Sequence, residues 1–162
     1  MTYCVGLMLE AGLVFASDTR TNAGVDYISS YSKMHIFNPT SDRLFVLLTA
    51  GNLATAQAVM SRIRRDIENS QSARGGPVED IVGPDLLSAK YMFEAVDYVG
   101  KLSVFVQKQR SNTMRQLGGS GEASFILGGA DCRPASWSVH DLSSGQRDHG
   151  YHRYSLPSDR RE

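Results

Sequence analysis

Cysteine is scarce in this chain: among 162 residues, the only two are Cys4 and Cys132. Two thiols build no disulfide framework, and with no sign of export a reducing cytoplasm is the default setting. The opening residues hold no basic segment followed by a long apolar stretch, so a signal peptide is not expected. No apolar run approaches the ~20 residues of a membrane-spanning helix. Net charge is also missing, since 17 Lys and Arg balance 17 Asp and Glu. That balance argues neither for a nucleic-acid partner nor for an anionic membrane surface. No internal repeat is visible. The length suits one domain with enough chain to bury a core.

What is present is concentrated at the beginning. Val5, Leu7 and Leu9 alternate with small or mixed residues, Glu10-Ala11-Gly12 makes a turn, and Leu13-Val14-Phe15-Ala16 runs back. This is the pattern of a β-hairpin, with glycine available for a positive φ in the turn. Thr2 is small enough that loss of Met1 is expected, so a strand would open on a threonine with a free α-amine. Such a residue carries its own general base, acting directly or through a water. A free α-amine has a pKa near ~7.7–8.0, and a neighbouring ammonium pushes it towards neutrality. Lys33 is the candidate for that push, and Asp18, closing the second strand, could hold the lysine charged and oriented. Taken singly, each has a plainer use: an Asp after a strand is ordinarily a turn former, and a lone Lys is ordinarily solvated.

Together, Thr2, Asp18 within Phe15-Ala16-Ser17-Asp18-Thr19-Arg20, and Lys33 resemble the nucleophile, acid and lysine of proteasome β-type subunits, which are N-terminal-nucleophile hydrolases. The whole stretch, including Thr21-Asn22-Ala23-Gly24-Val25-Asp26, is most similar to the bacterial ancestral β-subunit group, Anbu. The resemblance covers Met1 to about Gly129. It implies an α+β chain with the αββα sandwich of that family. It also implies that the amide of Gly51, in Ala50-Gly51, lines an oxyanion hole, where an aimed N–H lowers a barrier by roughly 3 kcal/mol. Without the resemblance, Gly51 simply lets the chain turn from strand to helix.

The remaining elements follow in order. Thr19 to Ser32 is polar and reads as a loop with a short strand; Lys33 to Phe37 reads as another short strand. Asn38-Pro39-Thr40-Ser41-Asp42 is a turn by its chemistry. Arg43 to Ala50 is almost continuously apolar, which suits a strand covered on both faces. His35, between apolar neighbours, is a packed or surface histidine. A helix spans Leu53 to about Asn69, with Leu53, Ala56, Val59, Met60, Ile63 and Ile67 on one face and Arg62, Arg64, Arg65 and Glu68 largely opposite. The basic cluster lacks interleaved aromatics and reads as a solvated helix face rather than a nucleic-acid patch. Ser70 to Gly83 reads as a loop, and a second helix runs from Pro84 to about Arg110. Gly100 marks a bend in it or a close contact with the first helix. Ser111 to Glu122 is a loop, and Ala123 to Gly129 a buried strand.

From about Ala130 the apolar periodicity is lost and the basic residues become Arg only; His140, His149, His152 and Trp137 all fall here. Residues 130–162 are therefore expected to be a disordered tail unrelated to the 1–129 unit, of the kind left by out-of-frame translation. The sandwich would be incomplete, its second sheet and later elements missing. The serine and aspartate that support the nucleophile in the family have no counterpart here. Gly119-Ser120-Gly121 resembles the segment that often carries the serine, but lies before the strand rather than after a later hairpin. The tail histidines lack the spacing of a metal site.

Two functions are compatible with this pattern. One is an N-terminal-threonine peptidase subunit that cuts peptides or unfolded proteins inside a homo-oligomeric ring or open helical arc, with Thr2, Asp18, Lys33 and Gly51 as its reaction centre and no metal or organic cofactor. The other is a truncated or structural subunit that never completes the site. Neither involves nucleic acid or a membrane. Cys4, a rival nucleophile by residue type, sits at an alternating strand position without a paired base and reads as a small core residue.

Overall fold

The computed structural model describes residues 2–9, 11–22, 28–40, 43–71, 85–116, 120–130 and 137–142. Among them the chain forms β1 (Cys4–Leu9), β2 (Gly12–Ser17), β3 (Arg20–Asn22), β4 (Ile28–Ser30), β5 (Met34–Thr40), β6 (Arg43–Gly51), α1 (Leu53–Gln71), α2 (Met92–Gln116), β7 (Ala123–Ala130) and β8 (Trp137–Asp141). Strands β5-β6-β7-β8 make one antiparallel sheet in that order; β1 pairs with β2, and β3 with β4.

The apolar run of β6 forms the middle of the molecule, with Phe45 to Thr49 all buried. Alternation along β6 and β7 sends their side chains to two faces. Phe45, Leu47, Phe125 and Leu127 pack with Val59, Met60 and Ile63 of α1 and Val99, Leu102 and Val106 of α2. Val46 and Leu48 alternate with these and lie on the opposite face, where β1 crosses β6, β7 and β8. The hairpin seats there through Phe15, whose ring lies over Gly6 and Gly128; Val139 also meets Gly6. A Cβ at Gly128 would collide with that ring. Three layers result: helices, four-stranded sheet, hairpin.

The fourth layer of an αββα sandwich has no counterpart among the described residues, and the hairpin records the gap. Cys4, Gly6 and Met8 are half-buried, whereas Tyr3, Val5, Leu7, Leu9 and Val14 are 44–68% exposed. The alternation expected of β1 is present, with its apolar set facing outward.

Other differences have local causes. The turn expected at Asn38–Asp42 does not begin at Asn38: β5 runs on to Thr40, with its register shifting between Phe37 and Thr40. β5 is an edge strand, where a bulge accommodates a proline that has no N–H to give. The polar segment after Asp18, expected as a loop with a short strand, forms the paired strands β3 and β4 at its described ends.

The second helix starts later and ends later than expected. Asp85 first caps an isolated turn, its Oδ1 accepting the Leu87 and Ser88 amides at 2.8 Å each. Glu94 then reaches back so that its Oε2 accepts from Lys90 and Tyr91, fixing the start of α2 at Met92. Gly100 makes no close contact with α1: an added Cβ would meet only Leu142, at 3.9 Å. The loop expected over Ser70–Gly83 falls largely outside the described residues, with Ser70 and Gln71 still in α1.

The strand pattern runs on past Gly129, where the boundary was expected. Ala130 still belongs to β7, and Trp137–Asp141 pair with it from Ile126↔Asp141 to Ala130↔Trp137. Leu142 N–H continues to Phe125 O at 2.8 Å. Without β8 the outer edge of β7 would carry unpaired backbone groups, so even a weakly patterned segment is recruited. Residues 143–162 lie outside the described residues.

Candidate active site

The hairpin brings the start of the chain beside Asp18. Pairing of Cys4 with Ser17 places Tyr3 next to Asp18, and the two exchange bonds: Asp18 N–H to Tyr3 O at 3.1 Å, Tyr3 N–H to Asp18 Oδ1 at 3.3 Å. Thr2 precedes this clasp. Lys33 arrives from the other layer, just before β5, where its carbonyl accepts Thr49 N–H at 2.9 Å.

The Lys33 side chain then spans the gap between layers. Its Nζ donates to Thr2 Oγ1 at 3.0 Å, to Asp18 Oδ1 at 2.8 Å and to Arg20 O at 2.7 Å. Three acceptors match the three N–H groups of an ammonium, as a residue only 5% exposed requires. The hydrogen bond from Lys33, above all, holds the Asp18 carboxyl below its ordinary range, with smaller help from the Tyr3 amide. The structure thus gathers three of the four expected site residues around one nitrogen. Sequence reasoning missed the Arg20 carbonyl, for which a side-chain pattern carries no signal.

Gly51 ends β6, two residues beyond Thr49, roughly 7 Å along the strand. Its φ is +88°, and a Cβ there would stand 2.6 Å from Glu122 O. Both facts require glycine for backbone reasons. The next residue, Asn52, donates its N–H to Glu122 O at 2.8 Å and caps α1 by accepting Thr55 N–H at 3.0 Å. Ser120 offers its carbonyl to Asn52 Nδ2 at 3.0 Å.

Cys4 points its Sγ towards Thr49 O at 3.5 Å. Burial and the Asp18 charge push its thiol up, against a smaller pull from Lys33, so the thiolate is disfavoured. Burial lowers the pKa of His35, with Arg64 adding to the effect, and burial also lowers that of His140. His140 lies 3.0 Å from Ser138 Oγ. Among the described residues no three His, Cys, Asp or Glu side chains cluster as a metal site would need, and no helix is long and apolar enough to cross a membrane. His149 and His152 lie outside the described residues.

No protein-family model and no curated protein matches the chain. Solved structures do. An Anbu Gly-1 mutant from Hyphomicrobium sp. is 35% identical over 90% of this chain and 54% of its own, with a TM-score of 0.69. Anbu, the ancestral beta-subunit, from Yersinia bercovieri is 30% identical over 90% of this chain and 55% of its own, with a TM-score of 0.70. A helical assembly of the Anbu complex from Pseudomonas aeruginosa is 31% identical over 87% of this chain and 52% of its own, with a TM-score of 0.67. The chain spans about half the length of these relatives. A 90% span of this chain must pass Gly129 wherever it begins, so the likeness extends beyond the limit expected from sequence. Over the half of their length that it spans, this α+β chain has the fold of the Anbu structures, proteasome-like N-terminal-nucleophile hydrolases, and is 30–35% identical to them.

Proposed function

We propose that this chain is a threonine-type peptidase subunit that hydrolyses peptide bonds within a proteasome-like homo-oligomer, with the cytoplasm as its setting. The observation that carries the reading is the buried Lys33 ammonium, 3.0 Å from Thr2 Oγ1 and 2.8 Å from Asp18 Oδ1. Thr2 becomes N-terminal once Met1 is removed, and its α-amine then serves as the base. Thr2 Oγ attacks the peptide carbonyl while the amine takes the hydroxyl proton. Lys33 keeps the region positive, which favours a neutral, proton-accepting amine. Asp18 positions Lys33, and the Gly51 amide donates to the oxyanion. As the tetrahedral species collapses, the C–N bond breaks and the leaving amine takes the proton. Water, deprotonated by the Thr2 α-amine that has become neutral again, then cleaves the threonyl ester, and the α-ammonium returns the proton to Thr2 Oγ.

Intact mass and a fluorogenic peptide test this in sequence. Loss of Met1 is the expected mass, and Thr2→Ala should abolish hydrolysis with the fold unchanged, because one hydroxyl is removed. Thr2→Ser should keep part of the activity. Activity that survives Thr2→Ala and vanishes in Cys4→Ala would transfer the role to the thiol. A particle larger than one chain on size exclusion is the expected state, and a monodisperse monomer at micromolar concentration would refute the assembly.

The alternative is a subunit that never completes its site. It draws support from the apolar side chains that, among the described residues, stay exposed on the outer face of the hairpin. Retained Met1, or no covalent capture of Thr2 by a threonine-directed probe, would favour it.

A further inference from the structure

The arginines on α1 are more than a solvated face. Ala54, Gln57, Ala58, Ser61, Arg62 and Arg65 form one stripe of α1 at three- and four-residue spacing. With Arg110 of α2 they line a groove of about 540 Å³. The helices run antiparallel, as Ala54 meeting Arg110, Arg62 meeting Phe105, and Asp66 meeting Tyr98 require.

Two of the guanidiniums are already held in place. Arg110 Nη1 donates to Ala54 O at 2.9 Å, at the end of the groove near the start of α1. The Arg62 guanidinium lies 5.3 Å from the centre of the Phe105 ring, and its Nε is buried without a hydrogen-bond partner. Arg65 stands at the far end, its side chain 53% exposed. Among the described residues, the groove lining contains no carboxylate. The adjacent Asp66 is buried, accepts the Tyr98 O–H at Oδ2 at 2.7 Å, and approaches Arg65 Nε only to 3.9 Å.

We propose that the α1–α2 groove binds an extended polypeptide segment carrying spaced carboxylates. Three cations in one trough repel one another, and a partner with several negative charges removes that cost. Guanidinium forks fit carboxylates in a bidentate manner, and forks already fixed by a ring or a carbonyl lose little freedom on binding. Shape selects a chain over a single ion. From Ala54 to Arg65 the helix rises about 16 Å, the span of roughly five residues of extended polypeptide. The small side chains of Ala54, Ala58 and Ser61 leave room for a backbone along the floor. Nucleic acid fits less well, because the Phe105 face on which a base would stack is covered by Arg62.

The test is fluorescence anisotropy with a labelled peptide of alternating Glu and Ala, using the Thr2→Ala chain so that cleavage does not intervene. Binding here does not depend on hydrolysis, so either reading can fail alone. Saturable binding is expected, weakened by added salt and by about tenfold or more in Arg65→Glu, with Arg65→Lys between the two. Circular dichroism and the thermal midpoint should be unchanged in both variants, given the exposure of Arg65. The proposal is overturned by an absence of saturable binding or by equal affinity in Arg65→Glu. It is overturned equally if inorganic phosphate or a short single-stranded oligonucleotide displaces the peptide as effectively as unlabelled peptide does.

Discussion

Replacing Lys33 with Met keeps the length of the side-chain stem and removes the one group that joins the two layers at the site. Three hydrogen bonds disappear, to Thr2 Oγ1, Asp18 Oδ1 and Arg20 O. A bond from a charged donor contributes about 1.5–3 kcal/mol, so the two neutral acceptors account for roughly 3–6 kcal/mol gross. Much of this is recovered, because the ammonium no longer has to be held away from water. Asp18, with its side chain 28% exposed, is taken up by solvent. A net loss of about 1–3 kcal/mol follows, within the reach of a folded chain. Hydrolysis should suffer more, about 10²–10³-fold, the scale on which a lost polar contact at a reacting centre is felt. The measurements are denaturant unfolding, peptide turnover, and an NMR titration of Asp18, whose carboxyl should return to its ordinary range. Turnover within about tenfold of the parent, in a chain that has lost Met1, would refute the catalytic role of Lys33. An Asp18 carboxyl that stays low would refute the lysine as the cause.

Acid should destabilise the fold in two steps. His35 and His140 have folded pKa values below 6.5, so their contribution is complete above that value and is lost as pH falls through each lowered one; Asp18, depressed from 3.8, follows at lower pH. Denaturant midpoints should therefore fall as the pH drops below 6.5, and His35→Gln should flatten the slope. A pH-independent midpoint would contradict this. Gly51→Ala should cost about 1–2 kcal/mol or more, because it places a Cβ at positive φ and against Glu122 O, and should lower the melting temperature by several degrees. An unchanged melting point would mean that this turn relaxes. Leu7→Lys, at a position 49% exposed on the open hairpin face, should change stability by under ~1 kcal/mol and reduce light scattering. Unfolding of that variant would show the face to be covered.

The middle of the fold was legible because its signals are thermodynamic. An almost unbroken apolar run can only be buried on both sides, as β6 is, and a 3.6-residue stripe can only face a core, as α1 does. The grouping of Thr2, Asp18 and Lys33 was legible because Thr2 and Asp18 flank a recognisable hairpin and the three residue types resemble a known set. What escaped depended on partners. Period two in β1 shows that Val5, Leu7 and Leu9 share a face, but not which face another layer will cover. The start of α2 is set by Glu94 capping backbone groups, a local competition that apolar spacing does not see. β8 forms because β7 offers an open edge and Gly6 offers a surface for Val139, neither of which is written in residues 137–141. Arg20 enters the site through a carbonyl that every residue type possesses.

The site and the open hairpin face are parts of one problem. Thr2 and Asp18 belong to the hairpin, whereas Lys33 is anchored by Thr49 to the four-stranded sheet. Their geometry therefore exists only while the hairpin stays seated. A two-stranded hairpin is marginal by itself and draws its stability from what it packs against. This one is seated from below by Phe15 over Gly6 and Gly128 and by the Cys4 contact to Thr49 O. Above, Tyr3, Val5, Leu7, Leu9 and Val14 remain about half exposed. Full burial of such a side chain contributes about 1.5–3 kcal/mol, so roughly 5 kcal/mol remains unrealised across the five. The Anbu relatives are nearly twice as long as the part matched here. Whatever covers the outer face, in this chain or another, binds the seated hairpin and not the detached one. By linkage it must also stabilise the contacts of Lys33 with Thr2 and Asp18. Covering of the outer face and formation of the Lys33 contacts are then one equilibrium, measured at two faces of the same pair of strands.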